Sequence, residues 1–587
     1  MTKDIPQQTL RVVLRDAANG KWLEFTAPCR IMTTYRIDDV LPLIRRMEEA
    51  VRLDGLYAAG FISYEAAPAF DPSLSVKDDG EFPLLWFGLF EQVKEITLPC
   101  NGDESIASVQ WEPSVTPEEY RLCLRQIREF IAAGDTYQVN FTYRLRAKTD
   151  KDPWNIFLQI AGDGEAPFAA FVDIGDWAVC SASPELFLQI DDDVIESRPM
   201  KGTAARGLWF EDDLANRENL MSSAKEQAEN VMIVDMVRND LGRVALCGSV
   251  HVPSLFAAEK YPSVWQMTST VRARTHKSLD HILQATFPPA SITGAPKRRT
   301  MEIIAALEST ARRVYCGTIG FLIPGGRAQF NVAIRTVLLR KAGGHAEYGV
   351  GGGIVWDSKV VDEYQECLTK TKVLRPSTRD FDLLETMLWS PSYGYTLLDY
   401  HMKRLAQSAD YFGFIVDIRR VQDELAKGVA GLIAGPHKLR LLVSRRGAVS
   451  CTVNPLEADA MSFDDLVLSK SPIDSGDVFL YHKTTNRRVY EDAVRLCEGC
   501  NDVLLLNEKG EITESTVANV AVEIDGEFCT PPVQCGLLPG TQRAWMLDHA
   551  QLQEKVISIE DVQSSPNIYL LNSIRGMHKV RVRLPGE

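Results

Sequence analysis

Glu226-Gln-Ala-Glu229-Asn-Val-Met-Ile-Val-Asp-Met-Val-Arg-Asn-Asp-Leu-Gly242 is the stretch around which the rest of the chain is organised. It falls in a helical run over 220–239, and its two glutamates stand three residues apart, so both carboxylates project from one face of a turn. The same spacing returns in Val361-Asp-Glu363-Tyr-Gln-Glu366-Cys. If those two helices face each other, four hard oxygen donors converge. That is the chemistry of Mg²⁺, with room left for water and a substrate carboxylate. Taken alone, each pair reads as a solvated helix face, so the surrounding sequence has to decide.

Working outward, strand-like runs over 169–174, 185–190 and 328–339 alternate with helical runs over 220–239 and 299–310, as in a compact α+β domain. Thr116-Pro117-Glu118-Glu119 is a capping box with proline at the first helical position. Tyr120, Cys123, Leu124, Ile127 and Ile131 follow at helical spacing, and Gly134 is the stop. The first hundred residues show short alternating segments, 10–14 and 84–88 among them, with a helix over 38–53. Residues 100–115 are polar and without period, which suggests a connection between subdomains. A second break, Leu374-Arg-Pro-Ser-Thr-Arg379, precedes a fresh apolar segment at Phe381. The expected division is therefore 1–373 (1–115 as an N-terminal subdomain, 116–373 as the core), a linker over 374–380, and a second domain over 381–587.

The 587 residues are enough for several such domains. With 64 Lys and Arg against 79 Asp and Glu, the net charge of −15 repels phosphate backbones and anionic lipid. Nucleic acid and membrane surfaces are poor partners, and an anionic substrate needs cations local to a pocket. The N-terminus has no apolar signal-like run, and no membrane-spanning stretch follows, so a cytoplasmic protein is expected. Twelve scattered cysteines fit reduced thiols. The one tight pair, Cys497-Glu-Gly-Cys500, has no second pair beside it and reads as an accident of spacing, with Gly499 a helix stop.

Four further segments join the opening one: Ser291-Ile-Thr-Gly-Ala-Pro-Lys297, Phe330-Asn-Val-Ala-Ile-Arg335-Thr336, Gly351-Gly-Gly-Ile-Val-Trp-Asp-Ser358 and Arg198-Pro-Met-Lys201-Gly-Thr203. Taken in chain order they resemble the chorismate-utilising enzymes, which include anthranilate synthase, aminodeoxychorismate synthase, isochorismate synthase and salicylate synthase. The resemblance spans most of residues 1–372 and implies a two-sheet α/β sandwich like that of anthranilate synthase component I. It also implies that Glu226, Glu229, Glu363 and Glu366 hold Mg²⁺. Arg335 and Tyr315 would bind a carboxylate end of chorismate, with Thr293, Gly353 and Lys370 lining the same pocket. Where the water-using members carry a lysine base, this chain has Gln138, and an amide cannot deprotonate water; ammonia is then the incoming group. Lys201 stands where anthranilate synthases have alanine and aminodeoxychorismate synthases have lysine. It would be a covalent nucleophile, with Glu185 the general acid for the departing hydroxyl. The chain departs from the family at Gln266, where members usually carry histidine. No glutaminase constellation is visible, so ammonia would come from solution or from a separate glutamine amidotransferase subunit.

The remaining motifs are His401-Met-Lys-Arg404-Leu, Tyr481-His-Lys483-Thr-Thr-Asn-Arg487, Ile512-Thr-Glu514-Ser-Thr-Val-Ala-Asn519 and Gly536-Leu-Leu-Pro-Gly540-Thr541-Gln542-Arg543. They resemble, in order, the fold-type IV pyridoxal-phosphate enzymes, which include branched-chain and D-amino-acid aminotransferases and aminodeoxychorismate lyase. A second α+β domain is implied. Lys483 would carry the cofactor and shuttle a proton, and Glu514 would hold the pyridine nitrogen protonated. Arg404, the backbone N–H groups of Thr541 and Gln542, and Ser573 would bind the phosphate. The domain lacks the strand hairpin that usually precedes the segment matching Leu384-Glu385-Thr386, which leaves open whether its site is complete. A homodimer through this domain is the family's habit.

Together the two resemblances imply a fused pair of steps from chorismate to 4-aminobenzoate, a folate precursor. The competing readings are an anthranilate synthase fused to an aminotransferase, and a synthase carrying a non-catalytic dimerisation domain.

Overall fold

The computed structural model describes residues 10–99, 109–162, 166–374, 381–456, 465–497 and 502–583. Residues 100–108 of the expected connection, 375–380 of the expected linker, Gly499 and Cys500 lie outside them. Contacts divide the chain into two units, Met1–Ala205 with Arg217–Ser377, and Arg206–Asn216 with Thr378–Glu587.

The first unit is built on two ten-stranded sheets among the described residues. One contains Gln138–Lys148, His345–Ile354, Thr336–Arg340 and Trp177–Ser181; the other contains Met200–Ala205, Val264–Arg274, Leu186–Asp191 and Ala328–Asn331. Phe25, Phe61, Trp86, Val172, Val179 and Phe321 are buried between the sheets. Outside one sheet the helices Ile37–Leu53, Ala224–Gly242 and Leu279–Thr286 bury their apolar faces; outside the other the helices Pro117–Ala132, Pro153–Ala161 and Lys297–Leu307 do so. This is the α+β sandwich expected. The capping box at Thr116 and Glu119 is formed in both directions.

Three expectations need correcting. Residues 1–115 are not a subdomain: Arg11–Asp16 pairs with Ala170–Asp173, and Tyr57–Ile62 pairs with Thr318–Leu322, so the early strands complete sheets built from the core. The run 220–239 is not one helix, because Ser223 leaves helical geometry and caps a new helix by accepting from the Glu226 N–H. The run 328–339 is not one strand. It leaves one sheet after Asn331 and enters the other at Thr336, with Arg335 in left-handed backbone at φ 50° between them.

The second unit has, among the described residues, a four-stranded sheet centred on Leu383–Ser390 and His437–Val443, with the helices Leu398–Phe412 and Ile418–Val429 packed on it. Its larger sheet has eight strands among the described residues and bends round until Ile512–Ser515 also pairs with Asn519–Ile524, closing a barrel-like ring. Arg206–Asn216 is part of this unit, where a contiguous division would have left it in the first. The Tyr411 hydroxyl donates to the Gly207 carbonyl at 2.7 Å, the Trp209 ring packs on Tyr481, and Arg206 lies over the Tyr411 ring while pairing with buried Asp213 at 2.7 Å.

Candidate active sites

In the first unit a cavity of about 140 Å³ opens between the end of the strand Met200–Ala205 and the helices Ala224–Gly242 and Val360–Lys370. Lys201, Glu185, Glu226, Glu229, Gln266, Tyr315, Arg335, Gly353, Glu363, Glu366 and Lys370, all singled out from the sequence, line it together. Two glycines make the convergence possible. Gly202, at φ 97°, lets the helix come close: a Cβ there would sit 3.2 Å from Glu226 Oε2. A Cβ on Gly353 would lie 2.7 Å from Lys201 Nζ and 2.0 Å from Gln138 Nε2, so the bare backbone is what admits the amine.

Glu185 is 3% exposed. Burial pushes its carboxyl up to about 7, against the Ser291 hydroxyl, Lys201, the Met200 N–H and Lys370, which pull it down. The shift favours the protonated carboxyl toward neutral pH, the form a general acid needs. Burial, with like charge from the neighbouring carboxylates, also raises Glu226, Glu229 and Glu363. Glu366 is only half-buried, and Lys370 at 2.7 Å holds it below its ordinary value against the opposing effect of desolvation. Glu363 accepts from the Ser358 hydroxyl at 2.6 Å. The four carboxylates thus face one another without closing on a point: among the described residues no three such side chains are set to grip an ion as they stand. Four hard oxygen donors at one cavity nevertheless fit a divalent cation.

Gln266 spends its amide N–H groups on the Gly202 carbonyl and Thr203 Oγ1, both at 3.0 Å, and so braces the strand that carries Lys201. Gln138 is 1% exposed, and its Oε1 has no hydrogen-bond partner. Thr293 does not line the cavity. Its hydroxyl turns back on the Pro289 and Ala290 carbonyls across a short 3₁₀ turn, and Ser291 and Ile292 reach the cavity instead. Asn140, Lys225 and Tyr348 also line the site, and Asn230 ties its helix to the Lys201 carbonyl at 3.2 Å. None of these four was singled out, although Asn230 sits beside Glu229 in the opening stretch.

The second unit holds a larger cavity, about 320 Å³, into which Arg404, Lys483, Glu514, Thr541 and Ser573 all face. Lys483 is displaced down to about 8 by burial and by Arg404, so a useful fraction is the free amine near neutral pH. Burial raises Glu514 to about 7. It accepts from the Tyr490 hydroxyl at 2.8 Å, the Asn519 amide at 3.0 Å and the Leu538 N–H at 3.1 Å. Gly540 is the N-cap of the helix Thr541–Asp548, whose first N–H groups, Thr541 and Gln542, precede the intrahelical ladder. The Gln542 side chain is not among those lining the cavity. A buried lysine that can shed its proton, a glutamate that accepts hydrogen bonds and an arginine beside a helix N-terminus suit a pyridine ring carrying an aldehyde and a phosphate.

Residues 17–376 match the family model described as chorismate binding enzyme, and residues 382–582 match that described as amino-transferase class IV. The aminodeoxychorismate synthase component 1 of Klebsiella aerogenes is 42% identical over 300 residues, covering 51% of this chain and 64% of that protein. The protein of the same name from Bacillus subtilis (strain 168) is 34% identical over 354 residues, covering 53% of this chain and 75% of that one. The chain spans 64%, 57% and 59% of the length of the relatives from Klebsiella aerogenes, Escherichia coli and Salmonella typhimurium. Among solved structures, anthranilate synthase component I from Streptococcus pneumoniae superposes with a TM-score of 0.51 at 23% identity, over 64% of this chain and 94% of that one. A Bacillus anthracis protein described as an isochorismate synthase, DhbC, gives 0.53 at 18%, over 63% and 96%. These two show the fold.

Proposed function

From a chain that belongs to the chorismate binding enzymes, we propose that the first unit converts chorismate and ammonia to 4-amino-4-deoxychorismate and water. We propose further that the second unit removes pyruvate from that product to leave 4-aminobenzoate. The observation that carries the reading is the meeting of a lysine amine, a buried carboxyl and four further carboxylates around one cavity.

Glu185 gives its proton to the C4 hydroxyl as the C4–O bond breaks. Lys201 bonds to C2 through the Nζ lone pair. Ammonia then bonds to C4 while the C2–N bond breaks and the electron pair returns to Lys201; the proton ammonia sheds restores the acid. Arg335 and Tyr315 hold a substrate carboxylate. Mg²⁺ held by Glu226, Glu229, Glu363 and Glu366 would neutralise a carboxylate of the substrate. Gln138 favours ammonia, since an amide beside the amine cannot make hydroxide from water. The ammonia comes from solution or from a separate glutamine amidotransferase, and the second unit pairs with a copy of itself in the cytoplasm.

In the second unit pyridoxal phosphate would supply an electron sink for the bond-breaking step. Lys483 anchors it and moves the proton at Nζ. Glu514 keeps the ring nitrogen protonated, braced by Tyr490, Asn519 and Leu538. Arg404, Ser573 and the Thr541 and Gln542 N–H groups hold the phosphate.

Incubation of the purified chain with chorismate, Mg²⁺ and ammonium is expected to give 4-amino-4-deoxychorismate, and 4-aminobenzoate with one pyruvate once pyridoxal phosphate is added. Lys201→Ala should abolish the first product. Anthranilate as product overturns the branch, and full amination by Lys201→Ala overturns the nucleophile. Absence of pyruvate on adding the cofactor overturns the second step.

A further inference from the structure

Glu385, on the strand Leu383–Ser390, is 1% exposed and serves as the hub of a buried network. Arg404 forks onto it, Nε to Oε1 at 2.9 Å and Nη2 to Oε2 at 2.7 Å, and His401 Nδ1 stands 2.6 Å from Oε2. The other edge of the imidazole, Nε2, lies 3.1 Å from Ser573 Oγ and 3.4 Å from Thr541 Oγ1. Three groups assigned above to the phosphate cradle are therefore tied to one carboxylate, two of them through His401. The charged groups that act on the ring are Glu385 from the neighbouring strand, Arg404 from its own helix and Lys483 from the cavity wall; the helix Thr541–Asp548 contributes the Thr541 hydroxyl.

The hydrogen count in this network is constrained. Burial raises the Glu385 carboxyl, but Arg404 and His401 more than reverse this and hold it at about 2, so it only accepts. His401 Nδ1 must then donate. Burial lowers the imidazole from its ordinary value, which leaves Nε2 a bare lone pair that accepts a hydroxyl hydrogen from Ser573 or Thr541. A phosphate monoester dianion offers acceptors only. When both hydroxyls turn their hydrogens onto it, Nε2 faces two oxygen lone pairs, an arrangement that holds only if Nε2 acquires a hydrogen of its own.

We propose that occupation of this cradle by a phosphate monoester dianion draws one proton from solvent onto His401 Nε2, with Glu385 as the positioning residue that fixes the ring for this exchange. Cofactor capture is then proton-linked, and affinity falls about tenfold per pH unit while the bound imidazole stays charged and the free one neutral. The inference rests on the reading of this cavity as a pyridoxal-phosphate site.

The probe is pyridoxine 5′-phosphate, which lacks the aldehyde and forms no bond to Lys483. Titration calorimetry near pH 7.5 in buffers of different ionisation enthalpy counts the protons taken up by the full chain. His401→Asn should take up one fewer than the wild type, because any contribution from Glu514 and the ring nitrogen is common to both. In the wild type labelled with ¹⁵N-histidine, the His401 nitrogens should change from the neutral to the imidazolium pattern on saturation. Equal counts in the two proteins, or a neutral His401 in the complex, overturn the proposal. If His401→Asn does not fold, the wild-type spectrum alone decides. Failure of the probe to bind the wild type overturns the cofactor reading instead.

Discussion

Replacing Gly353 by alanine tests the role of Lys201 without touching the lysine. The new methyl would stand 2.7 Å from Lys201 Nζ and 2.0 Å from Gln138 Nε2, where ordinary contact begins at 3.4 Å. The amine must retreat by at least several tenths of an ångström, and Gln138, 1% exposed, has little space to absorb the remainder. A displacement approaching 1 Å in a reacting group costs about 10²-fold. Overpacking of this kind costs about 1–3 kcal/mol in stability, so the variant should still fold. Steady-state formation of 4-amino-4-deoxychorismate at saturating ammonium should show kcat down about 10²-fold, with KM for chorismate moving much less. Gly242→Ala is the control. It ends a helix in open space, and its rate should match the wild type. A Gly353→Ala enzyme with wild-type kcat and an unshifted melting curve would show that the amine is not confined by this backbone, and the covalent role for Lys201 would lose its geometric basis.

Two further outcomes follow from buried charges. Because burial holds Glu185 at about 7 and its protonated form is the active one, the wild-type rate of amination relative to that of Glu185→Gln, in which the supply of free ammonia cancels, should fall as pH rises through about 7. Glu185→Gln should lose about 10²–10⁴-fold at the acid end of the range; a ratio of wild-type to variant rate that is flat from pH 6 to 8.5 would remove Glu185 as the acid. Asp213→Asn should destabilise the second unit by about 3–5 kcal/mol, since it removes the buried carboxylate that accepts two hydrogen bonds from the Arg206 guanidinium at 2.7 Å. Differential scanning calorimetry would show this, and an unchanged profile would mean that Arg206–Asn216 does not support that unit.

Local chemistry was legible where a short stretch determines its own conformation. The Thr116 capping box closes within four residues, and an i, i+3 pair of glutamates shares a helix face whatever surrounds it. The cavity-lining residues followed because motifs far apart in the chain each carried a recognisable residue pattern. Illegible features were those whose cause lies in another segment. Residues 328–339 keep an apolar run on both sides of Arg335, and the left-handed turn there comes from the need to pass from one sheet to the other, which no periodicity records. Arg206–Asn216 joins the second unit through contacts with Tyr411 and Tyr481, which lie far along the chain, so no local pattern assigns it there.

Glu385 shows the same limit at a functional site. In sequence it was one letter in Leu384-Glu385-Thr386, sixteen residues before His401 and nineteen before Arg404. Only the antiparallel sheet, with Leu383–Ser390 hydrogen-bonded to His437–Val443 and the helix Leu398–Phe412 laid across it, brings that carboxylate under both side chains. A buried carboxylate with two partners can be tolerated only if every lone pair is answered, and here the answers are the groups that face the anion cradle. The electrostatic setting of the cradle is therefore decided one layer beneath the residues that touch the ligand, by a side chain whose type is common and whose meaning is entirely tertiary.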